Sequence, residues 1–492
     1  MNPSRRIAKN TVIITISSIV CLSLAFLVFA ALARYLGVGT YGLFAFAGSF
    51  VGLFGILFDL GLNTLIIREV ARYKEKVSFY FENIFVIEVI GSFIVIILIC
   101  CFAYLLGYHG ETLSIILLSA IILALDTLAQ LIFSTFNAYE RREYEALITT
   151  LGKLIYVIVG FIGIFLQLPL FEIVILFIFS SGFKLVLGYF TLVSKVYKPK
   201  IKVDMSSWLP MIKLALPFGL GGFFFNVFFG IDMTLLSLLK GNEAVAYYSV
   251  AFRFISIFII IPSALTGSIW PLLSRLFIQS KDSLVKVYTK TTQYLVILAV
   301  PISIGMFFVS DIAIMTIFGD EYANSIIALQ ILVWTLIFLF INNIGGATLG
   351  AIDRPILNDI SLSFCIFVNI LLDLFLIPYY SYIGAGIAAI ITQIVLLIQF
   401  NYFLSKNGIS INFLRLMYKP LIGGIVMGIF IYFIKIVLRA FPGIMQLLIV
   451  IPIAAVVYFL VLLAIKAFNE EDKIIIYNII SLKRLNETNF KF

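Results

Sequence analysis

The sequence predicts an all-α polytopic membrane protein of about 14 transmembrane helices: two six-helix lobes related by a parallel pseudo-twofold axis, plus two C-terminal helices. Three observations predict it. Of the 492 residues, 62% are hydrophobic and only 12% charged, roughly half the charge of an ordinary soluble domain. Apolar runs able to cross the hydrocarbon core, which takes about 20 residues, recur from end to end. Short polar signatures repeat in the same order in the two halves.

The spans fall approximately at 11–33, 42–63, 79–106, 113–136, 147–166 and 171–193 in the first half. The second half continues at 214–238, 246–270, 291–318, 326–350, 359–377 and 383–404, and 421–438 and 445–467 complete the set. After span 1 comes "RYLGVGTYGLFAF" and after span 7 "SLLKGNEAVAYYSVAF", which sets Gly37 against Gly241, 204 residues apart. After span 4 comes "FNAYERR" and after span 10 "LGAIDRP", which matches Glu140 and Arg141 to Asp353 and Arg354 at a separation of 213. Pro169 and Pro378 are expected to close spans 5 and 11 in the same way. Six is an even number of crossings, so both copies enter the membrane in one direction. That is the parallel class of transporter repeat, with substrate sites between the halves. The expected domains are 1–205, the first lobe; 206–410, the second; and 411–492, the added helix pair with a cytoplasmic tail.

The start "MNPSRRIAKN", followed by an apolar run ending in Ala31-Leu32-Ala33, imitates a cleavable leader. The run exceeds the roughly 7–15 residues of a signal core, and its removal would break the repeat, so it is expected to be span 1. With the N-terminus cytoplasmic, 28 of the 34 Lys and Arg lie on the inner side or toward the inner ends of spans. Arg34, Lys240 and Arg439 lie outside, and Lys184, Arg253 and Lys435 fall elsewhere within spans. This asymmetry fixes the orientation, with both termini cytoplasmic in the plasma membrane. The net charge of +9 is therefore a topology label and an attraction for anionic membrane lipids, not a nucleic-acid footprint.

The four cysteines lie in apolar runs and the single histidine, His109, in a loop. A disulfide framework, a histidine relay and a His-based metal site are excluded. No P-loop is present and every outer loop is short, so no catalytic or ATPase domain is built in and the protein is not expected to be an enzyme. No cofactor is expected. Uphill movement would draw on a proton or sodium gradient, or on the substrate's own gradient.

Charges inside spans cost several kcal/mol each and face a partner or a wet cavity. Asp232 and Arg253 sit at one depth on adjacent antiparallel spans, roughly 10–12 Å below the outer helix ends at 1.5 Å per residue. They are expected to pair with each other or to line the substrate cavity, where Arg253 receives a phosphate. Lys184 in span 6 is the third cavity candidate. Asp59, Glu88 and Asp126 are candidates for ion coupling, without partners by spacing. Pro217, Gly219, Gly221 and Gly222 weaken the backbone of span 7 and mark a hinge. The matched turns holding Glu140, Arg141, Asp353 and Arg354 are interface anchors or a cytoplasmic gate.

Four stretches, "ARYLGVGTYGLFAFAGSFVGLFGILFDLGLNTLIIREVAR", "GIDMTLLSLLKGNEAVAYYSVAFRF", "PSALTGSIWPLLSRL" and "LIPYYSYIGAGIAAIIT", are spread over nearly the whole chain. In that order they resemble the polysaccharide-unit flippases of the O-antigen transporter type, within the multidrug/oligosaccharidyl-lipid/polysaccharide exporter superfamily. The resemblance implies a two-lobed alternating-access transporter whose substrate is an oligosaccharide linked through phosphate or diphosphate to a polyprenol. It matches Arg253 and Lys184 to the family's cationic cavity residues and Asp232 to its usual acid in span 7. Asp373 stands where the family more often shows asparagine. The expected function is a flippase for lipid-linked glycan units acting as a monomer, and the alternative is a cation-coupled multidrug or small-molecule exporter of the same fold.

Overall fold

The computed structural model describes residues 3–200 and 202–468. The predicted cytoplasmic tail from residue 469 lies outside the described residues. All longer elements among the described residues are α-helices: α1 (Pro3–Leu53), α2 (Gly55–Asp59), α3 (Leu62–Arg72), α4 (Val77–Leu105), α5 (Glu111–Ala138), α6 (Arg142–Phe165), α7 (Leu170–Lys195) and α8 (Trp208–Lys240). The series continues with α9 (Asn242–Phe258), α10 (Ile260–Gln279), α11 (Lys281–Ile317), α12 (Ser325–Leu332), α13 (Thr335–Ala351), α14 (Pro355–Lys406), α15 (Phe413–Val437) and α16 (Gly443–Ala464).

Both α1, of 51 residues, and α14, of 52, would run well over twice the ~30 Å hydrocarbon core as single rods. Each is two helices joined at one non-helical residue, Gly37 (φ 71°, ψ 174°) and Ser381 (φ 52°, ψ −135°). Among the described residues, twelve helical stretches are long and apolar enough to cross a membrane. Counting the two broken ones twice gives fourteen crossings, as expected.

The sequence repeat reappears in the backbone. Gly241 (φ 82°, ψ −177°) has the conformation of Gly37, one that a side chain rarely adopts. Glu140 and Asp353 are both left-handed, at φ 58° and 59°. The same bond closes both turns: Arg141 N donates to Phe136 O and Arg354 N to Leu349 O, each at 2.9 Å. The proline match is less regular. Gln167 (φ 53°) turns the chain before Pro169, whereas Pro378 stays inside α14 and the break falls at Ser381. Chain reversal follows the residue that accepts a positive φ, and a proline near a helix end is tolerated without ending it.

The chain divides into two compact units, one of residues 1–253 with 362–385 and the other of 254–361 with 386–492. In the first unit, the helices before and after the break at Leu60–Gly61 run against α8 and the start of α9 with almost no side chain between. A Cβ on Gly42 would stand 1.9 Å from Asn242 O, and one on Gly61 would stand 2.3 Å from Ala215 O. Between these levels Ser49 Oγ donates to Gly230 O at 2.9 Å. Small residues permit such backbone approach in membranes, where dispersion and hydrogen bonding replace the hydrophobic effect as glue.

The segment between α7 and α8 is tied to the start of α4. Glu82 accepts from Tyr197 Oη, from Ser78 Oγ, and from the backbone N–H groups of Lys200 (2.6 Å) and Lys202 (2.8 Å). Asn83 Oδ1 accepts from Asp204 N (2.9 Å) and Trp208 Nε1 (3.0 Å). In the second unit α15 and α16 pack on α11, and Lys435 Nζ reaches both oxygens of Asp311 at 2.7 and 2.8 Å and Phe308 O at 2.7 Å.

Candidate functional site

Three groups of charged side chains lie inside the first unit. In the first group, α5, α6 and α7 enclose with the second limb of α1 a cavity of about 280 Å³. Lys184 of α7 reaches Asp126 of α5, Nζ to Oδ1 2.7 Å. Its stem lies across Gly152 of α6, where a Cβ would stand 2.2 Å from Lys184 Cγ. Any larger residue at 152 would deflect the lysine. Lys153 also lines the cavity, its ammonium 4.3 Å above the centroid of Tyr156, which stacks on Phe177 at 4.1 Å. Lys153 makes no hydrogen bond or ion pair with any described residue. Arg253 of α9 joins the same aromatic row, its guanidinium 3.6 Å from the centroid of Phe29, which lies 6.5 Å from Tyr156. Flat guanidinium on an aromatic face is the favoured cation–π arrangement.

The second group joins α8, α9 and α14. Tyr248 Oη donates to Asp232 Oδ2, and Asn369 and Asp373 of α14 face the same carboxyl. All four side chains are buried, Asp373 completely. Asp232 Oδ1, Asn369 Oδ1 and both oxygens of Asp373 have no hydrogen-bond partner among the described residues. Two carboxyls turned on one another in a dry interior repel unless a cation or proton lies between them. Asp232 and Arg253, which the sequence placed at one depth, thus have Tyr248 and Phe29 as neighbours.

The third group sits at the break between α2 and α3. Asp59 Oδ1 accepts from Asn63 N (2.8 Å), and Asn63 Nδ2 donates to Glu88 Oε1 (3.2 Å), with Glu88 1% exposed. Two of the three expected ion-coupling acids therefore share one asparagine, while Asp126 belongs to the cavity.

The expected hinge residues lie in α8, which runs on helically through Pro217. A Cβ on Gly219 would stand 2.9 Å from Gly61 N, Gly222 has open space beside it, and Gly221 lies between the two. At the matched turns, Arg141 Nη1 donates to Lys195 O at 2.8 Å, and Arg354 precedes α14 directly.

Lys153, Asn369 and Asp311 escaped the sequence reading, as did the pairing of Tyr248 with Asp232. Lys153 was counted with the inner-side cations, although it stands eleven residues into α6. One signal was available: its i+3 neighbour is Tyr156, on the same helix face. Asp311 lay in span 9 and went unread, so Lys435 had no partner. Among the described residues no group of three or more His, Cys, Asp or Glu is placed to hold a metal ion.

A family model described as "Polysaccharide biosynthesis protein" matches residues 7–277, more than half of the chain. The chain belongs to the polysaccharide biosynthesis protein family. A second model, described as MatE, matches residues 217–375 of this family member. Among curated proteins it is similar to the "Probable low-salt glycan biosynthesis flippase Agl15" of Haloferax volcanii, with 22% identity over 409 residues, 83% of this chain and 85% of the relative. It is also similar to the "Capsular polysaccharide biosynthesis protein CapF" of Staphylococcus aureus, with 25% identity over 362 residues, 70% of this chain and 86% of the relative. Among solved structures, the lipid II flippase MurJ in an inward closed conformation superposes with a TM-score of 0.72 at 16% identity, over 92% of this chain and 98% of that one. That last likeness is one of fold.

Proposed function

We propose that this member of the polysaccharide biosynthesis protein family is a flippase. It carries oligosaccharide units, linked through phosphate or diphosphate to a polyprenol, from the inner to the outer leaflet of the plasma membrane. The names of Agl15, CapF and MurJ support that reading. The observation that carries it is the sign of the charged groups around the cavity and its aromatic row: among the described residues, Lys153, Lys184 and Arg253 against Asp126. Moving a hydrated head group across about 30 Å of hydrocarbon requires polar partners along the route, and an anionic head requires cations. The polyprenyl tail stays in the bilayer throughout.

In this reading Arg253 meets the phosphate through its two-pronged guanidinium, with Lys184 beside the route. The two six-span lobes, 1–205 and 206–410, alternate about Pro217, Gly219, Gly221 and Gly222. The turns of Glu140, Arg141, Asp353 and Arg354 exchange partners at the cytoplasmic mouth. A proton or sodium ion taken up by Asp232 and Asp373 supplies the drive, with the Asp59–Asn63–Glu88 group as a second acidic station. The protein acts as a monomer with both termini cytoplasmic, and it transports without catalysing a covalent change.

A second reading, a cation-coupled exporter of small molecules, is favoured by the MatE match over residues 217–375 and by the buried acid pair. Deleting the gene and measuring lipid-linked oligosaccharide in each leaflet separates the two. Accumulation on the inner leaflet, cured by the wild-type gene but not by a stably inserted Arg253→Ala variant, is the expected result. An unchanged leaflet distribution would move the assignment to export.

A further inference from the structure

We infer that the cavity inside the first unit is a seat for an acidic sugar, so that the transported glycan carries a ring carboxylate of the uronate type. This rests on the flippase reading and adds the chemistry of the glycan to it. The first argument is charge. Lys184 is matched by Asp126 at 2.7 Å, while Lys153 has no charged or hydrogen-bonding partner among the described residues. The seat therefore offers one uncompensated positive charge. That suits a carboxylate, which brings one negative charge, and falls short of a diphosphate, which brings two or more.

The walls give the second argument. Tyr156, stacked on Phe177 at 4.1 Å, lines the cavity together with Phe44, Val51 and Ile122, and Ser119, Thr149 and Ser181 stand among these apolar residues. A wall that mixes aromatic and aliphatic carbon with a few hydroxyl-bearing residues suits a sugar ring better than a bare phosphate. The third argument is size. Ligand pockets usually run about 300–1,000 Å³. At about 280 Å³ this one takes a single ring, leaving the rest of the unit outside. The diphosphate belongs at Arg253, one aromatic row away through Phe29 and Tyr156.

Two synthetic probes test this: farnesyl diphosphate-linked disaccharides that differ only in ending with glucuronate or glucose. Their Kd values are measured on the full-length protein in lipid nanodiscs. We expect the glucuronate probe to bind at least about tenfold tighter, the scale of one charge-assisted hydrogen bond. Lys153→Met should bring that ratio close to one and Lys153→Arg should restore it, whereas Arg253→Ala should weaken both probes alike. Lys153 holds no ion pair with any described residue, so its replacement leaves no stranded charge among them and the variant should fold. Equal binding of the two probes to the wild type would overturn the acidic-sugar seat and leave the flippase reading standing. So would a Lys153→Met variant that weakens both probes by one factor, which would place the diphosphate there. Failure of both probes to bind would overturn the flippase reading and this inference together.

Discussion

The two lysines of the cavity have different neighbours: Lys153 has the face of Tyr156, and Lys184 has a carboxylate. Lys184 has Asp126, with side-chain exposures of 20% and 37%. Exposed pairs contribute about 0.2–1 kcal/mol, and breaking a fully buried one costs about 3–5 kcal/mol. Asp126→Asn should therefore destabilise the protein by about 1–3 kcal/mol. Adding Lys184→Met should recover much of the loss, because the stranded charge is then gone. Thermal unfolding of the two single variants and the double variant in detergent closes this cycle, and strict additivity would show that the pair is not coupled. Single residues were legible in the sequence as charges out of place, but their partners were not. Asp126 and Lys184 are brought together by the packing of α5 and α7, two parallel crossings separated in the chain by α6, and Asp232 meets Asp373 from a helix 141 residues away. No periodicity along one helix encodes such meetings. What local sequence encodes is depth, so it set Asp232 and Arg253 at one level without revealing that they take Tyr248 and Phe29 as neighbours.

At the scale of elements, the seam between the broken helix ending in α3 and the start of α8 and α9 is set by glycines. Gly42→Ala puts a methyl into the backbone oxygen of Asn242. Gly61→Ala meets Ala215 O and also has to hold φ at +81°. Overpacking of this kind costs about 1–3 kcal/mol. Both variants should melt several degrees below the wild type, whereas Gly48→Ala, with open space at its Cβ, should not. A wild-type melting point in Gly42→Ala would show that the seam yields. The tie between α4 and the segment before α8 makes a separate prediction. Glu82→Gln loses acceptor capacity for the amides of Lys200 and Lys202, and a buried bond to a charged acceptor contributes about 1.5–3 kcal/mol. Amide exchange of those two residues should then rise by at least about tenfold, and unchanged protection would sink the idea that Glu82 holds the segment. The elements themselves were legible. Fourteen apolar runs mark the crossings, the turns at Gly37 and Gly241 follow from the residue that accepts positive φ, and those at Glu140 and Asp353 are marked by the repeat. The misplacement of the break at Pro378 has a physical reason: proline weakens a helix by one bond, whereas the chain reverses where a positive φ is allowed.

For the molecule as a whole, the question is how binding on one side is converted into release on the other. Asp232 and Asp373 set two buried carboxyls against each other, with three of their oxygens lacking a hydrogen-bond partner among the described residues, an arrangement that is costly unless a cation or proton sits between them. Asp232 belongs to α8, the helix that also carries Pro217 and Gly219, and Asp373 belongs to α14. Occupancy of the group thus bears directly on how α14 packs against the helix expected to bend. A ligand shifts an equilibrium between conformations only by its difference in affinity for them, and a cation that bridges α8 and α14 has such a difference whenever the two helices separate. Proteoliposomes loaded with a lipid-linked oligosaccharide and given an inward sodium or proton gradient should show faster flipping than without one. In Asp373→Asn the bridge loses one charge, and the acceleration by the gradient should vanish. Flipping that ignores both ions in the wild type would mean that the substrate's own gradient drives the carrier. Acceleration that survives Asp373→Asn would move the coupling to the Asp59–Asn63–Glu88 group, which Glu88→Gln then tests in the same vesicles.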